Sequence, residues 1–171
     1  MSEQKLPTPD GVVSFLKGQH EEVKATMPGV LDAEGEARLR VFGEVRRMLA
    51  LHETIEQAAV HPTARAESDD SKVVDSRLQE ETEATEAIAR LESTDIDSAE
   101  FEDGYRALMA DVIEHAEREE HEEFVHIGTF TSDKLALVAR GMVIAEQGPD
   151  AIGGLTFEEM LAHASTALHQ S

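Results

Sequence analysis

The sequence predicts an all-α protein, an up-down-up-down four-helix bundle with a C-terminal helical extension. Three observations predict it. Apolar residues recur at three- and four-residue steps along most of the 171-residue chain. No run of four to eight residues alternates as a half-buried strand does, and Tyr105 and six Phe are the only aromatic residues. Short-to-moderate polar connections separate four such periodic segments, which is the pattern of a bundle.

Each element has its own signals. Thr8, Pro9 and Asp10 start a first helix over about 10–27, which Pro28-Gly29 ends. Its stripe is Val13, Leu16, His20, Val23 and Met27. A second helix runs over about 34–60 on Phe42, Val45, Leu49, His52, Glu56 and Ala59, with Pro62 as its stop and Thr63–Ser71 as a polar loop. A third covers about 72–92 on Val74, Leu78, Glu81, Thr85 and Ile88. A fourth covers about 99–126, ending near Gly128, on Phe101, Tyr105, Leu108, Val112, His115 and Glu119. The bundle is expected over 12–131 and the extension over 132–171, packed on the outside of the bundle. In the extension, Asp133–Gln147 and Thr156–His169 read as helices around a loop at Gly148–Gly154, with Gly141, Gly148, Gly153 and Gly154 as candidate hinges.

Composition narrows the function. Lys plus Arg is 15 and Asp plus Glu is 36, a net charge of −21, so neither nucleic acid nor an anionic membrane is an expected partner. No stretch is apolar over the length of a membrane helix, and Met1–Asp10 lacks the pattern of a secretory signal. There is no Cys, which excludes disulfides, thiolate metal sites and Cys nucleophiles and suits a reducing, cytoplasmic location.

The chemistry lies in the interruptions of the stripes. His20, His52, Glu56, Glu81, His115 and Glu119 stand where Leu or Val is expected. A buried, unpaired carboxylate costs several kcal/mol, so six such groups in one bundle need a common partner. A metal centre is one, because a cation accepts neutral imidazole and ionised carboxylate together. His52 and Glu56 lie one turn apart on one helix face, about 6 Å along the axis, and His115 and Glu119 repeat them. His20 precedes His52 by 32 residues and Glu81 precedes His115 by 34, so each half is a one-ligand helix followed by a two-ligand helix. Six ligands with bridging carboxylates suit two ions better than one. As exposed pairs, His52-Glu56 and His115-Glu119 would each stabilise a helix by a few tenths of a kcal/mol, but their phase with the apolar stripe disfavours that reading. The HExxH pattern of zinc proteases is not met, since Glu stands four residues after His52.

On helix three, Glu81 is in phase with the stripe and Glu80 is not; Glu80, Glu83 or no ligand at all are the alternatives. Glu53 is expected to face solvent. His61 reads as a helix-end residue, His121 and His126 as lying beyond the helix-four pair, and His163 and His169 as surface or packing groups. Tyr105 reads as a core aromatic. The runs Glu80–Glu86 and Glu117–Glu123 read mostly as solvated faces.

This constellation resembles the hemerythrin HHE cation-binding domain family over about 12–130. Glu80-Glu81 and the run His115-Ala-Glu-Arg-Glu-Glu-His-Glu-Glu-Phe124 look like the actinobacterial type. The resemblance implies a non-heme centre of two iron ions, oxo- or carboxylate-bridged, with His20 as the first-helix ligand, His52 and Glu56 as the second-helix pair and His115 and Glu119 as the fourth-helix pair. It implies a small ligand such as oxygen, peroxide or nitric oxide, with oxidase- or catalase-like turnover as one outcome. Zinc or manganese would suit the same donors. The oxygen-carrying members place HxxxH on helix three, where this chain has Glu81 and no His between 61 and 115, so reversible oxygen carriage is not expected. The competing expectation is a non-enzymatic metal binder or sensor whose metal state controls the C-terminal helices.

Overall fold

The computed structural model describes residues 5–69, 71–147 and 154–170. Helix α1 (Pro9–Thr26) opens as its sequence dictates: Thr8 Oγ1 accepts the Gly11 N–H at 3.1 Å, and Pro9, with no N–H to satisfy, occupies the first turn. Pro28 does not end helical structure but starts a single turn, α2 (Pro28–Asp32). Gly35 begins α3 (Gly35–Ile55) at φ +55, a left-handed conformation that glycine adopts without strain.

The expected stop at Pro62 does not form, and Thr63–Glu67 are helical rather than part of the expected loop. The chain passes from α3 through a π turn, Glu56–Val60, into α4 (His61–Glu67). The His61 N–H reaches back to Glu56 O, five residues away. Pro62 lacks an N–H for the usual bond, and its ring would crowd the carbonyl four residues earlier. The wider turn just before it makes room for the ring, and the helix continues.

Helix α5 (Ser71–Glu92) and α6 (Ala99–Glu122) complete the bundle. Ser98 caps α6 by accepting the Phe101 N–H at 3.1 Å. Helix α6 stops at Glu122, short of the expected 126, and becomes a 3-10 turn, Phe124–Thr129. Helices α7 (Ser132–Glu146) and α8 (Phe157–His169) follow, capped by Thr131 and by a Thr156–Glu159 capping box. The expected loop at Gly148–Gly154 lies outside the described residues except for Gly154, at φ +85. Among the described residues no helix is long and apolar enough to cross a membrane.

The core divides into two apolar clusters. One holds Val23, Phe42, Leu49, Ile88, Tyr105 and Leu108, and Tyr105 OH donates to Met27 O at 3.0 Å. The other holds Val12, Leu16, Ile55, Ala59, Phe124 and Val138. Val12, not Val13, is the fully buried residue of the first turn. Along α1, His20 falls between Leu16 of one cluster and Val23 of the other. His52 and Glu56 fall between Leu49 and Ala59, and His115 and Glu119 between Leu108 and Phe124. The polar residues therefore form a layer between two apolar plugs. Helix α8 adds Phe157 and Met160 to the first cluster and Leu168 to the second. With this cover, every residue from Leu49 to Glu56 is buried.

Gly141 lies inside α7, close against α3. A Cβ there would meet Ile55 Cδ1 at 2.5 Å and Cγ1 at 2.9 Å, so glycine is required by space rather than by flexibility. Gly141→Ala is expected to destabilise the fold by about 1–3 kcal/mol through overpacking, read as a lowered thermal midpoint. An unchanged midpoint would mean that Ile55 moves aside freely.

Candidate metal centre

All six residues expected at the centre converge on the polar layer. His20, His52, Glu56 and Glu119 place one ligand atom each within 4.8 Å of one another, and so do Glu56, Glu81, His115 and Glu119. The two groups share Glu56 and Glu119. Both shared carboxylates are fully buried, and none of their four oxygens accepts a hydrogen bond.

The imidazoles are oriented from outside. His20 Nδ1–H donates to Glu120 Oε1, His52 Nδ1–H to Gln19 Oε1 and His115 Nδ1–H to Glu80 Oε2, each at 2.9 Å. A ring that gives its Nδ1 proton to an outer acceptor turns the Nε2 lone pair inward, the arrangement that orients metal-binding histidines. The three Nε2 atoms point at Glu119 Oε2, at 3.5 Å for His20, 3.9 Å for His52 and 3.3 Å for His115. His20 Nε2 and His52 Nε2 are 2.8 Å apart, and His52 Nε2 is 2.8 Å from Glu56 Oε1. Lone pairs this close repel unless a proton or a cation lies between them. The donor set thus fits cations on physical grounds: orphaned anionic oxygens beside imidazoles whose outer nitrogens are already held.

Four residues sit differently from their expected places. His61 is no helix-end residue: it is buried, with Nε2 2.5 Å from Glu81 Oε1 and Nδ1 2.9 Å from Glu123 Oε2. The π turn carries it inward where a simple helix stop would have left it outside. Glu123 is fully buried rather than solvated, because α6 places it one turn beyond Glu119. Glu53 is buried beside the centre rather than in solvent, in the stretch of α3 that is covered on all sides. Glu80 does not point away: it holds His115 and accepts from Arg118 at 2.7 Å. Only Glu123 had a readable signal, its four-residue step from Glu119. His163 and His169 are exposed, in keeping with their reading as surface groups, and His121 is exposed too. Glu81 is held on its second oxygen by Gln57 Nε2 at 2.8 Å.

Protonation follows from burial. Burial pushes the Glu53 carboxyl well up, and the Glu81 charge adds to it. Burial and the Glu119 charge do the same for Glu56. Burial also acts on Glu119, but the His115, His20 and His52 imidazoles around it hold it well below the carboxylate range. His61 is raised to about 11, since Glu123 and Glu81 outweigh its burial. His115 is raised to about 10, since Glu119 outweighs its burial.

A cavity of about 270 Å³ reaches the layer from one side, touching His20, His52, Glu53, Glu81 and His115. Glu83, Asp111 and Glu114 line its outer part with Lys24 and Arg118, a net acidic rim. Glu56, Glu119, His61 and Glu123 do not line it.

The sequence profile of the hemerythrin HHE cation-binding domain matches residues 11–127. None of the curated proteins matches the chain. Among solved structures, a hemerythrin HHE cation-binding domain-containing protein from Mycobacterium kansasii is similar at 20% identity and a TM-score of 0.66, over 91% of this chain and 95% of that one.

The pKa directions set a pH dependence for the metal-free protein. Glu53 and Glu56 keep protons in the fold that the unfolded chain releases above its ordinary carboxyl range, near 4.5. His61 and His115 keep theirs to about 11 and about 10, against 6.5 unfolded. The fold binds more protons, so its stability falls as pH rises. The opposite contribution of Glu119 is lost only on acidification below its depressed value. The thermal midpoint of metal-free protein is expected to drop from pH 6 to pH 9, and bound cation, by replacing those protons, to flatten the profile. A midpoint rising over that range contradicts the buried protonation pattern.

Proposed function

The chain belongs to the hemerythrin HHE cation-binding domain family, and from that premise we propose a non-heme di-iron protein that binds or turns over a small ligand: oxygen, peroxide or nitric oxide. The observation that carries this reading is the sharing of Glu56 and Glu119 between two ligand groups. His20 and His52 would hold one ion, His115 and Glu81 the other, and the shared carboxylates would serve both. When bound, paired iron supplies one-electron redox chemistry that no side chain of the layer can. Zinc and manganese suit the same donors, and the metal is decided by elemental analysis.

The chain's own residues do the rest. Glu120, Gln19 and Glu80 fix the three imidazole tautomers. The apolar clusters on both sides of the layer keep bulk water out and strengthen electrostatic interactions within it. The cavity at His20, His52 and His115 has room for a diatomic or a peroxide, and its acidic rim favours neutral ligands over anions. Three carboxylates against three imidazoles make an anionic shell, which stabilises ferric over ferrous iron. Reversible oxygen carriage needs a durable diferrous state, so Glu81 in place of imidazole directs the centre toward oxidation or peroxide turnover.

A sensing role draws on one contact. Ile55, the residue before Glu56, packs against α7 at Gly141. Unchanged protease protection of α7 and α8 on metal loading would dismiss that role.

Anaerobic loading with Fe(II), followed by elemental analysis and stopped-flow mixing with oxygen or hydrogen peroxide, tests the main reading. His52→Ala and His115→Ala are each expected to lower bound iron about tenfold or more, while His163→Ala and His169→Ala leave it unchanged. Equal iron in all four variants would sink the assignment. Glu81→His, by removing an anion, is expected to slow autoxidation. Glu80→Gln, which weakens the holds on His115 and on the arginines beside it but removes no ligand, is expected to cost less iron than Glu81→Gln.

A further inference from the structure

The inward face of α6 does not end at Glu119. One turn on, Glu123 is fully buried, and its Oε1 has no hydrogen-bond partner. Glu119 likewise has two unpartnered oxygens, and the nearest approaches of His20, His52 and His115 are all to its Oε2. His61 enters the same space from the π turn, and one of its nitrogens lies with an oxygen each of Glu119 and Glu123 in a group within 4.8 Å. This space lies off the cavity.

We infer that His61, Glu119 and Glu123 form a third cation position, abutting the pair through Glu119. The two contacts of His61 differ in kind. Its Nε2 is 2.5 Å from Glu81 Oε1, a separation suited to a short N–H···O bond and too short for two ligands of one ion. Its Nδ1 is 2.9 Å from Glu123 Oε2, the spacing of adjacent ligands at about 2.1 Å from one cation. With its Nε2 proton on Glu81, the imidazole can give up the Nδ1 proton that Glu123 otherwise accepts and present that lone pair to a cation between the two carboxylates. That is the orientation a ligating histidine takes when a carboxylate holds its other nitrogen. Two carboxylates, of which Glu119 is shared with the pair, and a neutral imidazole make up the donor set. Their oxygen-rich character suits Mn(II), Fe(II) or Co(II) better than a soft ion. The inference rests on the two-ion reading through the shared Glu119.

The test is a Co(II) titration of metal-free full-length protein under anaerobic conditions, with equilibrium dialysis, elemental analysis and the cobalt visible spectrum as readouts. Wild type is expected to take up a third, weaker equivalent with its own spectral component. Glu123→Gln, which keeps the shape of the side chain, is expected to weaken that equivalent about tenfold to a hundredfold and leave the first two in place; His61→Ala is expected to weaken it as well and, by releasing Glu81 Oε1, to weaken the second equivalent too. Wild type saturating at two equivalents overturns the proposal, and so does loss of one of the first two in Glu123→Gln, which would place Glu123 in the pair itself. Wild type that takes fewer than two overturns the two-ion reading instead. Circular dichroism of both variants separates ligand loss from unfolding, and Glu123→Gln decides the outcome if His61→Ala does not fold.

Discussion

Everything in this bundle is arranged around two carboxylates that cannot be left alone. Glu56 and Glu119 are fully buried, and no donor reaches any of their oxygens through a hydrogen bond. In an apolar interior such groups either take up protons or demand positive charge. The metal-free fold divides the two solutions. Glu56 is pushed toward the protonated form, while Glu119 stays ionised among three imidazoles. The packing keeps both from water. Leu16 and Phe124 close one side of the layer, and Val23, Leu49 and Leu108 close the other. A layer so enclosed cannot relax by solvation, so a bound cation gains what the water would have supplied.

The π turn is the local device that completes this arrangement. Without it, Pro62 would break the second bundle helix and His61 would end at the surface. With it, the helix widens at Glu56–Val60, accommodates the proline and delivers His61 against Glu81 and Glu123. Gln57, in the same turn, takes the other Glu81 oxygen. One irregular turn therefore holds the only carboxylate that α5 brings to the layer. Irregular helix turns of this kind recur at functional sites because they re-aim side chains that a regular helix would present elsewhere.

Much of this was legible in the sequence, and the rest was hidden for definable reasons. The four bundle helices and both tail helices follow from periodicity and from caps such as Thr8, Ser98 and Thr156. The six layer residues follow from polar groups in phase with apolar stripes. His61 was not legible, because a His-Pro step at a helix end is the ordinary sign of termination and nothing local announces a π turn. Glu53 was not legible either: its phase points it out of a plain four-helix bundle, and only the cover of α3 by the rest of the fold buries it. Glu80 illustrates a third limit. Phase alone separates inward from outward positions, but a residue at the boundary can reach the outer nitrogen of an inward histidine, as Glu80 does with His115. The tail helices were readable as helices, but their place in the core was not. Phe157, Met160 and Leu168 join both apolar clusters only because the chain returns along α3.

The layer is also polar in direction. On the cavity side stand His20, His52, Glu81 and His115, whose imidazoles are braced from outside by Glu120, Gln19 and Glu80. On the closed side stand Glu56, Glu119, Glu123 and His61, held by buried neighbours. The three braced imidazoles and Glu81 therefore face the route from solvent, and Glu56, Glu119 and Glu123 lie behind them. A cation drawn through the acidic rim would meet the imidazoles together with Glu81 first and the shared carboxylates Glu56 and Glu119 last. A small neutral ligand is not drawn by the charge and needs only the space that the cavity leaves at the imidazoles. Charge placement and cavity placement thus separate the two kinds of traffic within one opening. Placing Glu56 and Glu119 on the cavity side instead would let water solvate them and remove the demand for positive charge on which the buried layer depends.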